Sequence, residues 1–399
     1  RCDDSFMSHA KSAATGPVVQ AANSLTARWC AHLGSGDYAL SAAGLWPLLA
    51  LLASAADDTA QAELAAALGR PADSAQQDAL ELLDVLRAGL STTAALGIWT
   101  RKGVPLHEDW KSGLPAGVVG TLSGQGALDQ WAAEQTGGLI DKFPLEVTAD
   151  TLLVLASALA ARVRWRTPFD GYPRGGGDTW SPEDPGPPDQ QWLRRSTSDL
   201  AIAAVLDAAV TRVVVEGDGD IDVHLLLGDQ KPADVLAAGL RELSGEASVR
   251  QAASLDSDSG GPGLTVRREQ SSNRKNRLNL ALPSFEITAH HDLLTHADLF
   301  GLNSLTDPST SHLPLLSPVP LCVSAGAQDV LARFFAEGFE AAAVTAFGLM
   351  AGSAPPEERY QVTVVDVTFD RPFGFLAVHR PSRLAVVAGW VNSPFEKTP

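Results

Sequence analysis

Three aspartates at alternate positions are the first residues in this sequence that could do chemistry. Segment 218–229 begins with the D-x-D-x-D spacing of a calcium-binding loop, in which carboxylates surround the cation. Such a loop needs glycine at its sixth position and glutamate at its twelfth, where this sequence has Val223 and Asp229. We therefore interpret the segment as two strands joined by a tight turn rather than as a cation site.

The run His290-His291-Asp292 could supply a metal ligand or a general base. Adjacent residues of a strand point to opposite faces, and no third ligand follows at a recognisable spacing. We therefore interpret the run as a solvated loop. The contiguous motifs of hydrolases, phosphate-binding loops and zinc proteases are also missing, although a catalytic triad dispersed along the chain stays open.

Composition argues against several function classes. The chain has 399 residues, of which 45% are hydrophobic, so its core needs neither disulfides nor a structural metal. The three cysteines lack the C-x-x-C spacing of zinc sites, and we expect no metal and no cofactor. A net charge of −17 argues against nucleic-acid and membrane partners, and no apolar run reaches the roughly 18 residues of a membrane span. We see no apolar signal segment, so secreted and cytoplasmic locations both stay open.

Periodicity predicts mainly helices in the first part of the chain and strands in the rest. Apolar residues at helical spacing predict helices over 18–33, 44–56, 57–69, 78–90 and 127–140. Strand character is predicted over 91–100, 210–229, 277–289, 359–370 and 374–391. Segment 151–165 is too apolar for periodicity to decide between a buried strand and a buried helix, and 171–191 is a Pro/Gly-rich loop. This order of elements indicates an α+β fold.

Segment 336–360, AEGFEAAAVTAFGLMAGSAPPEERY, fits neither a helix nor a strand by composition. It is too rich in alanine for a good strand, and Gly348 and Gly352 would break a helix. If it is extended, alternate residues from Ala341 to Leu349 share one face, and small side chains on both faces would let it enter a sheet between existing strands. Composition alone favours a surface loop.

Several stretches resemble the serpin family, and they follow the family's order over residues 18–394. Residues 128–144 resemble N-x-W-V-x-x-x-T-x-G-x-I, and 151–170 resemble the central strand that runs to a W-x-x-P-F turn. Residues 278–287 are similar to L-x-L-P-x-F-x-I, 369–394 to the R-P-F … G-x-V-x-x-P ending, and 336–345 to the hinge E-G-x-E-A-A-A-x-T. Each match is weak alone, but together they are specific, and the chain resembles a bacterial-type member of the family.

The resemblance implies a single domain over 18–394 with three β-sheets, eight or nine helices and an exposed reactive-centre loop. A flexible N-terminal extension, 1–17, and a C-terminal tail, 395–399, would flank it. It also implies a monomer that is not an enzyme but a suicide-substrate inhibitor of serine proteases, or of a cysteine protease. The protease would cut the loop, stay attached and be carried along as the freed loop enters the main sheet. The alternative is a non-inhibitory protein of the same fold that binds a ligand or partner.

The resemblance also assigns two groups of site residues. The hinge, where insertion would begin, comprises Glu337, Gly338, Phe339, Glu340, Ala341, Ala342, Ala343, Val344 and Thr345. The region where the sheet would open comprises Gly44, Ser157, Trp165 and Gln328. The chain departs from the family at Phe339, where a small or β-branched residue is usual, and a bulky ring must find space there. It departs again at Gly44, Ser157 and Gln328, which replace a cluster that usually includes Ser, Asn and His.

The family's spacing, counted from Gly338, puts the reactive bond between Gly352 and Ser353. The Ser-Ala-Pro-Pro stretch that follows resembles the residues after the cut in some members. If the register slips, the residue before the cut would be one of three alternatives, Leu349, Met350 or Ala351. No Arg or Lys lies between Phe339 and Glu358, so we expect an elastase-, subtilisin- or chymotrypsin-like target rather than a trypsin-like one.

Overall fold

A computed structural model describes residues 16–173, 180, 191–257, 260–339 and 360–394 of the chain. The predicted N-terminal extension up to residue 15, most of the Pro/Gly-rich loop and the C-terminal tail lie outside the described residues. So do the hinge from Glu340 to Thr345 and every candidate for the reactive bond.

The helices account for much of the first part of the chain, as the periodicity predicts. They are α1 (Pro17–His32), α2 (Ala42–Ala53), α3 (Asp58–Leu68), α4 (Ala75–Arg87), α5 (Glu108–Ser112), α6 (Gln125–Thr136), α7 (Pro232–Ser244) and α8 (Ala297–Phe300). All five predicted helices are confirmed, with small shifts at their ends. The Asp57 side chain caps α3 by accepting a hydrogen bond from Ala60 N, and Gly69 ends it at a φ of 66°. Within the described ranges, no helix is long and apolar enough to cross a membrane.

The strands of the described residues form two continuous sheets and a third that is divided. They are β1 (Tyr38–Leu40), β2 (Thr92–Thr100), β3 (Val119–Thr121), β4 (Leu153–Ala161), β5 (Val163–Arg164), β6 (Asp170–Pro173), β7 (Gln191–Thr197), β8 (Ala203–Leu206), β9 (Val210–Glu216), β10 (Ile221–Gly228), β11 (Val249–Gln251), β12 (Leu264–Ser271), β13 (Arg277–Pro283), β14 (Phe285–Asp292), β15 (Ala327–Phe334), β16 (Gly338–Phe339), β17 (Tyr360–Thr368), β18 (Phe373–His379) and β19 (Leu384–Val391). One sheet has the order β1-β19-β18-β10-β9-β8-β11, and another has the order β12-β17-β13-β7-β6. The groups β3-β2-β4 and β14-β15-β16-β5 are hydrogen-bonded separately, and we call the two together the main sheet. The α+β class is therefore confirmed.

Segment 151–165, which periodicity left undecided, forms β4 and β5. β4 pairs antiparallel with β2 over its whole length, from Leu153 to Ala161. It is apolar on both faces because both faces are covered. Val154 and Ala156 belong to a cluster with α6, whereas Leu155 and Leu159 pack against the larger core that contains α2. Coverage on both faces removes the alternation that would have identified the strand.

The main sheet is divided along its middle. β4 and β5 form one run of chain interrupted only at Arg162, so this run links the two groups of strands. β15 pairs with β14 over eight residues, but with β16 only through Phe334 and Phe339. Among the described residues, no strand lies between β4 and β15. The resemblance implies three sheets, and the third of them is open at its centre.

Asp218 and Asp220 lie in the turn between β9 and β10, and Asp222 is the second residue of β10, which confirms the predicted hairpin. The Asp220 carboxylate accepts hydrogen bonds from Leu90 N at 2.6 Å and Ser91 N at 3.0 Å. Asp222 forms an ion pair with Arg380, whose guanidinium nitrogen lies 2.6 Å from the carboxylate. These two carboxylates therefore hold the turn to neighbouring segments.

The interpretation of residues 290–292 as a solvated loop is wrong, because they form the end of β14 and pair with β15. His290 Nδ1 lies 2.6 Å from an Asp329 carboxylate oxygen on the neighbouring strand. His291 points to the other face, donates to Ala39 O at 2.7 Å and packs against Trp29. Pairing with β15 overrides the polar character of the run. No group of three or more metal-ligating side chains occurs in the described part of the chain.

His224 of β10 is a buried histidine whose surroundings disfavour its protonated form. It is 8% exposed, and the facing carboxylate is that of Glu242, at 3.7 Å. Burial, with the nearby charges of Arg212 and Arg383, lowers its pKa to about 3. In an unfolded chain the pKa would be about 6.5. The unfolded state therefore binds the proton more tightly, so the free energy of unfolding falls as the pH drops from about 6.5 towards 3.

We expect His224 alone to lower the free energy of unfolding by about 2 kcal/mol between pH 7.5 and pH 5. A His224→Gln variant should lose correspondingly less stability over this interval. Urea unfolding of both proteins at the two pH values measures the difference. His290→Gln is the matched control, since the His290 side chain is 60% exposed. Equal losses in the parent and the His224→Gln variant would contradict the expectation.

Candidate functional site

The space between β4 and β15, which we call the slot, is the candidate functional site. Side chains of β4 from Leu155 to Ala161 line one wall, and those of β15 from Ala327 to Leu331 line the other. Gly44, Leu45 and Leu48 of α2 line it from below, and Trp131 and Ala132 of α6 line it from the opposite face. The slot therefore runs along the sheet between two helices.

The two strands that border the slot have unused pairing capacity. Among the described residues, β4 pairs only with β2, and β15 pairs fully only with β14. Each strand thus presents an edge of backbone N–H and C=O groups towards the slot. An extended segment placed there could form hydrogen bonds on both of its sides.

A polar network around Ser157 of β4 and Gln328 of β15 forms the floor of the slot. The Gln328 side chain accepts from Ser41 N and donates to Ser41 O, both at 2.9 Å. The Ser157 hydroxyl donates to Gly44 O. The Ser41 hydroxyl accepts from Gly44 N at 3.1 Å, where it caps α2, and donates to Val386 O at 2.7 Å. Gly44, Ser157 and Gln328, which the resemblance grouped from the sequence, thus lie together.

Sequence reasoning missed Ser41, which holds this network together. A serine directly before an apolar helix is a signal for an N-cap, and that signal was available. Its pairing with Gln328 could not be read from the sequence, because 287 residues separate the two. A Cβ atom on residue 44 would lie 3.4 Å from the Ser41 hydroxyl and 3.7 Å from the Gln328 amide nitrogen. Both are ordinary van der Waals distances, so a Cβ atom would fit at residue 44 beside the glutamine.

Trp165 does not lie with the polar floor. It lies beside β16, at what we call the hinge end of the slot. Its indole N–H donates to Phe335 O at 2.9 Å, and its backbone N–H donates to Glu337 O at 3.0 Å. The ring centroid is 4.7 Å from that of Phe334. Trp165 therefore holds the turn that leads from β15 into β16, where the predicted hinge begins.

Phe339 is buried at the hinge end of the slot. The fold therefore has room for the bulky ring that departs from the family pattern. It is 2% exposed, and its ring centroid lies 6.1 Å from that of Phe375. Its backbone pairs with Phe334 on one side and Val163 on the other. The first two hinge residues that follow the turn, Gly338 and Phe339, therefore already form a strand between β15 and β5.

Comparison with known proteins agrees with this architecture. A sequence model described as Serpin (serine protease inhibitor) matches residues 20–173 and 260–394. A serine protease inhibitor of Cyanea capillata is 21% identical over 269 residues, which span 67% of this chain and 64% of that protein. Antichymotrypsin-2 of Bombyx mori is 23% identical over 330 residues, 79% of this chain and 82% of that protein.

The fold is also found among solved structures. Thyroxine-binding globulin in complex with thyroxine superimposes with a TM-score of 0.67 at 15% identity, covering 95% of this chain and 99% of that chain. At this identity the likeness shows the fold alone. The family match rests on sequence, and it covers the walls of the slot, the turn held by Trp165 and the hinge. We conclude that the chain belongs to the serpin family.

Proposed function

We propose that the protein inhibits serine proteases as a suicide substrate. The observation that carries this proposal is the slot, whose walls have free pairing edges and whose end is already occupied by β16. Because the rest of the hinge follows Phe339 directly in the chain, residues 340–345 are the segment best placed to extend that strand. A cut in the loop would free them to do so.

The pairing of Phe339 sets the register that an extended β16 would follow. In antiparallel strands, one step forward along a strand is one step back along its neighbour. Side chains directly opposite each other point to the same side of the sheet. The Phe339 ring points to the side that packs on the large core. If the register continues, Ala343 would lie opposite Leu159 on one wall and Val330 on the other. Thr345 would lie opposite Ser157 and Gln328. Thr345 would thus reach the polar floor.

The covalent step would use the protease's own chemistry. Its catalytic serine oxygen would attack the carbonyl carbon of Gly352, forming an ester as the peptide bond to Ser353 breaks. The amine of Ser353 would leave with the proton that the protease supplies. Insertion of the loop would then compete with hydrolysis of the ester by water. This protein would contribute a substrate and a conformational change, and no catalytic group.

The target class follows from the loop sequence. No Arg or Lys lies between Phe339 and Glu358, so a pocket that requires a basic side chain would find none. Leu349 and Met350 suit an apolar pocket, and Ala351 or Gly352 suits a small one. The name of the Bombyx mori relative, Antichymotrypsin-2, points towards a chymotrypsin-like enzyme.

Incubation with a panel of proteases tests the proposal. We expect a covalent complex that survives a denaturing gel with an elastase-, subtilisin- or chymotrypsin-like enzyme, and none with a trypsin-like enzyme. Mass spectrometry of the C-terminal peptide released from the complex then locates the cut. A peptide that begins at Ser353 supports the spacing, one that begins at Met350 or Ala351 moves the register, and one that begins beyond Pro356 overturns the loop assignment.

The second candidate function is binding of a ligand or partner without inhibition. The similarity of the fold to that of a thyroxine-binding protein favours it. Cleavage of the loop by every protease in the panel, with no covalent complex, would favour this second function.

A further inference from the structure

A dense group of cations lies at one end of the five-stranded sheet. The protein as a whole carries a net charge of −17, yet residues 267–277 contain five basic side chains and a single acidic one, Glu269. The five are Arg267, Arg268, Arg274, Lys275 and Arg277. All five are exposed. Such a local reversal of charge suits an interaction surface better than general solubility, which the acidic composition already provides.

Two of these cations are neutralised by their neighbours. Arg267 forms ion pairs with Glu269 and Asp366, and Arg277 lies 2.9 Å from a Glu269 oxygen. These pairs form a ladder across the outer face of the sheet. They hold β12, β13 and β17 together, and they leave little charge to offer a partner.

The other three cations are Arg268 on β12 and Arg274 and Lys275 in the turn that follows it. They are available to a partner, and we call the three the basic turn. Among the described residues, neither Arg268 nor Lys275 has a carboxylate within ion-pair distance. The Arg274 guanidinium lies over the Tyr360 ring, 4.7 Å from its centroid, which orients it without neutralising it. The local charge therefore remains positive and solvent-exposed.

The basic turn lies where the chain returns from the predicted reactive-centre loop. Tyr360 is the first described residue after that loop, and it pairs with Ser271 at the end of β12. The turn connects β12 to β13, which flank β17 on its two sides, so it passes the end of β17. A protease bound to the loop would therefore be a neighbour of these cations.

The base of the turn is rigid. β17 pairs with β12 over eight residues and with β13 over five. The Asn279 side-chain amide also donates to Asp366 at 2.7 Å across β13 and β17. Cations fixed on such a base lose little conformational entropy when a partner binds.

We propose that the basic turn docks an acidic surface beside the active site of the target protease, and so selects among proteases that share a cleavage preference. This inference rests on the proposed inhibitory function. Charges at an interface rim act mainly on the association rate. At about 0.1 M salt the Debye length is about 10 Å, so the nearby turn acts on a bound protease while the distant negative charges are largely screened.

Association rates with a matched pair of proteases test the proposal. The pair would share one primary specificity but differ in the charge around the active site, one acidic and one basic. In the test variant, Arg268, Arg274 and Lys275 are all replaced by Glu. In the control variant, Lys102, Lys111 and Lys142 are replaced by Glu, which changes the net charge equally at exposed sites away from the turn. Equal thermal midpoints for both variants would show that they fold.

At about 0.1 M salt we expect the test variant to form complex with the acidic protease about tenfold more slowly than the control variant does. The rate with the basic protease should not fall, and the number of inhibitor molecules consumed per protease should not change. Equal rates for the two variants would overturn the proposal. So would unchanged rates together with loss of retention on a sulfated polysaccharide resin, which would assign the turn to a polyanion. Failure of the parent to trap any protease would instead overturn the proposed function, and this inference with it.

Discussion

Cutting the loop between residues 347 and 353 is expected to raise the thermal unfolding midpoint by on the order of 10 °C or more. The cut would free residues 341–349 to extend β16 along the slot, where both walls have free pairing edges. Each new backbone hydrogen bond would contribute about 1 kcal/mol, and burial of the Val, Phe and Leu side chains would add to this.

Calorimetry before and after limited proteolysis measures this shift. A protein cut instead within the Pro/Gly-rich segment 174–190 is the control, since such a cut releases no hinge residue and should not raise the midpoint. An unchanged midpoint after cleavage in the loop would remove the inhibitory mechanism while leaving the fold intact.

Replacing Ala343 with Arg is expected to convert the protein from an inhibitor into a plain substrate. In the register set by Phe339, residue 343 would face inwards between Leu159 and Val330. An arginine there would bring an unpaired charge against α2 and the apolar core, at a cost of several kcal/mol. Insertion would slow, and hydrolysis of the ester would release the active protease.

Ala343→Ser is the matched control, because a small side chain at the same position would fit between Leu159 and Val330 without bringing in a charge. It should slow trapping less than Ala343→Arg does. The ratio of covalent complex to cleaved inhibitor on a denaturing gel measures both effects. If Ala343→Arg traps protease as well as the parent, residue 343 does not insert and the register is wrong. The thermal midpoint of Ala343→Arg should also not rise when its loop is cut, because its hinge would not enter the slot.

Local sequence was enough where the signal lies within a few residues. Asp57 and Gly69 define the ends of α3 through a side-chain cap and a left-handed glycine. The turn at 217–220 joins β9 and β10 as its glycines and aspartates predict. In these places the residues that determine the structure are neighbours in the chain.

Long-range pairing decided the elements on which the sequence was silent or misleading. Segment 151–165 became a strand because α2 and α6 cover its two faces, and periodicity cannot register a partner that lies elsewhere in the chain. Residues 290–292 became the end of a strand because β15 lies beside them. Trp165 lies at the hinge end of the slot because its side chain and backbone N–H groups donate hydrogen bonds to Phe335 O and Glu337 O.

The sequence by itself determined the α+β class, the resemblance to the family and the pattern of small residues on both faces of 341–349. These features depend on composition and on spacing along the chain, which can be read without knowing any tertiary contact. Only the tertiary structure decided that the main sheet is open between β4 and β15, that Gln328 binds Ser41, and that the ring of Phe339 is buried near Phe375. These features depend on which distant segments meet and on whether a side chain finds room between them. Packing of the whole chain sets both, and no local pattern records them.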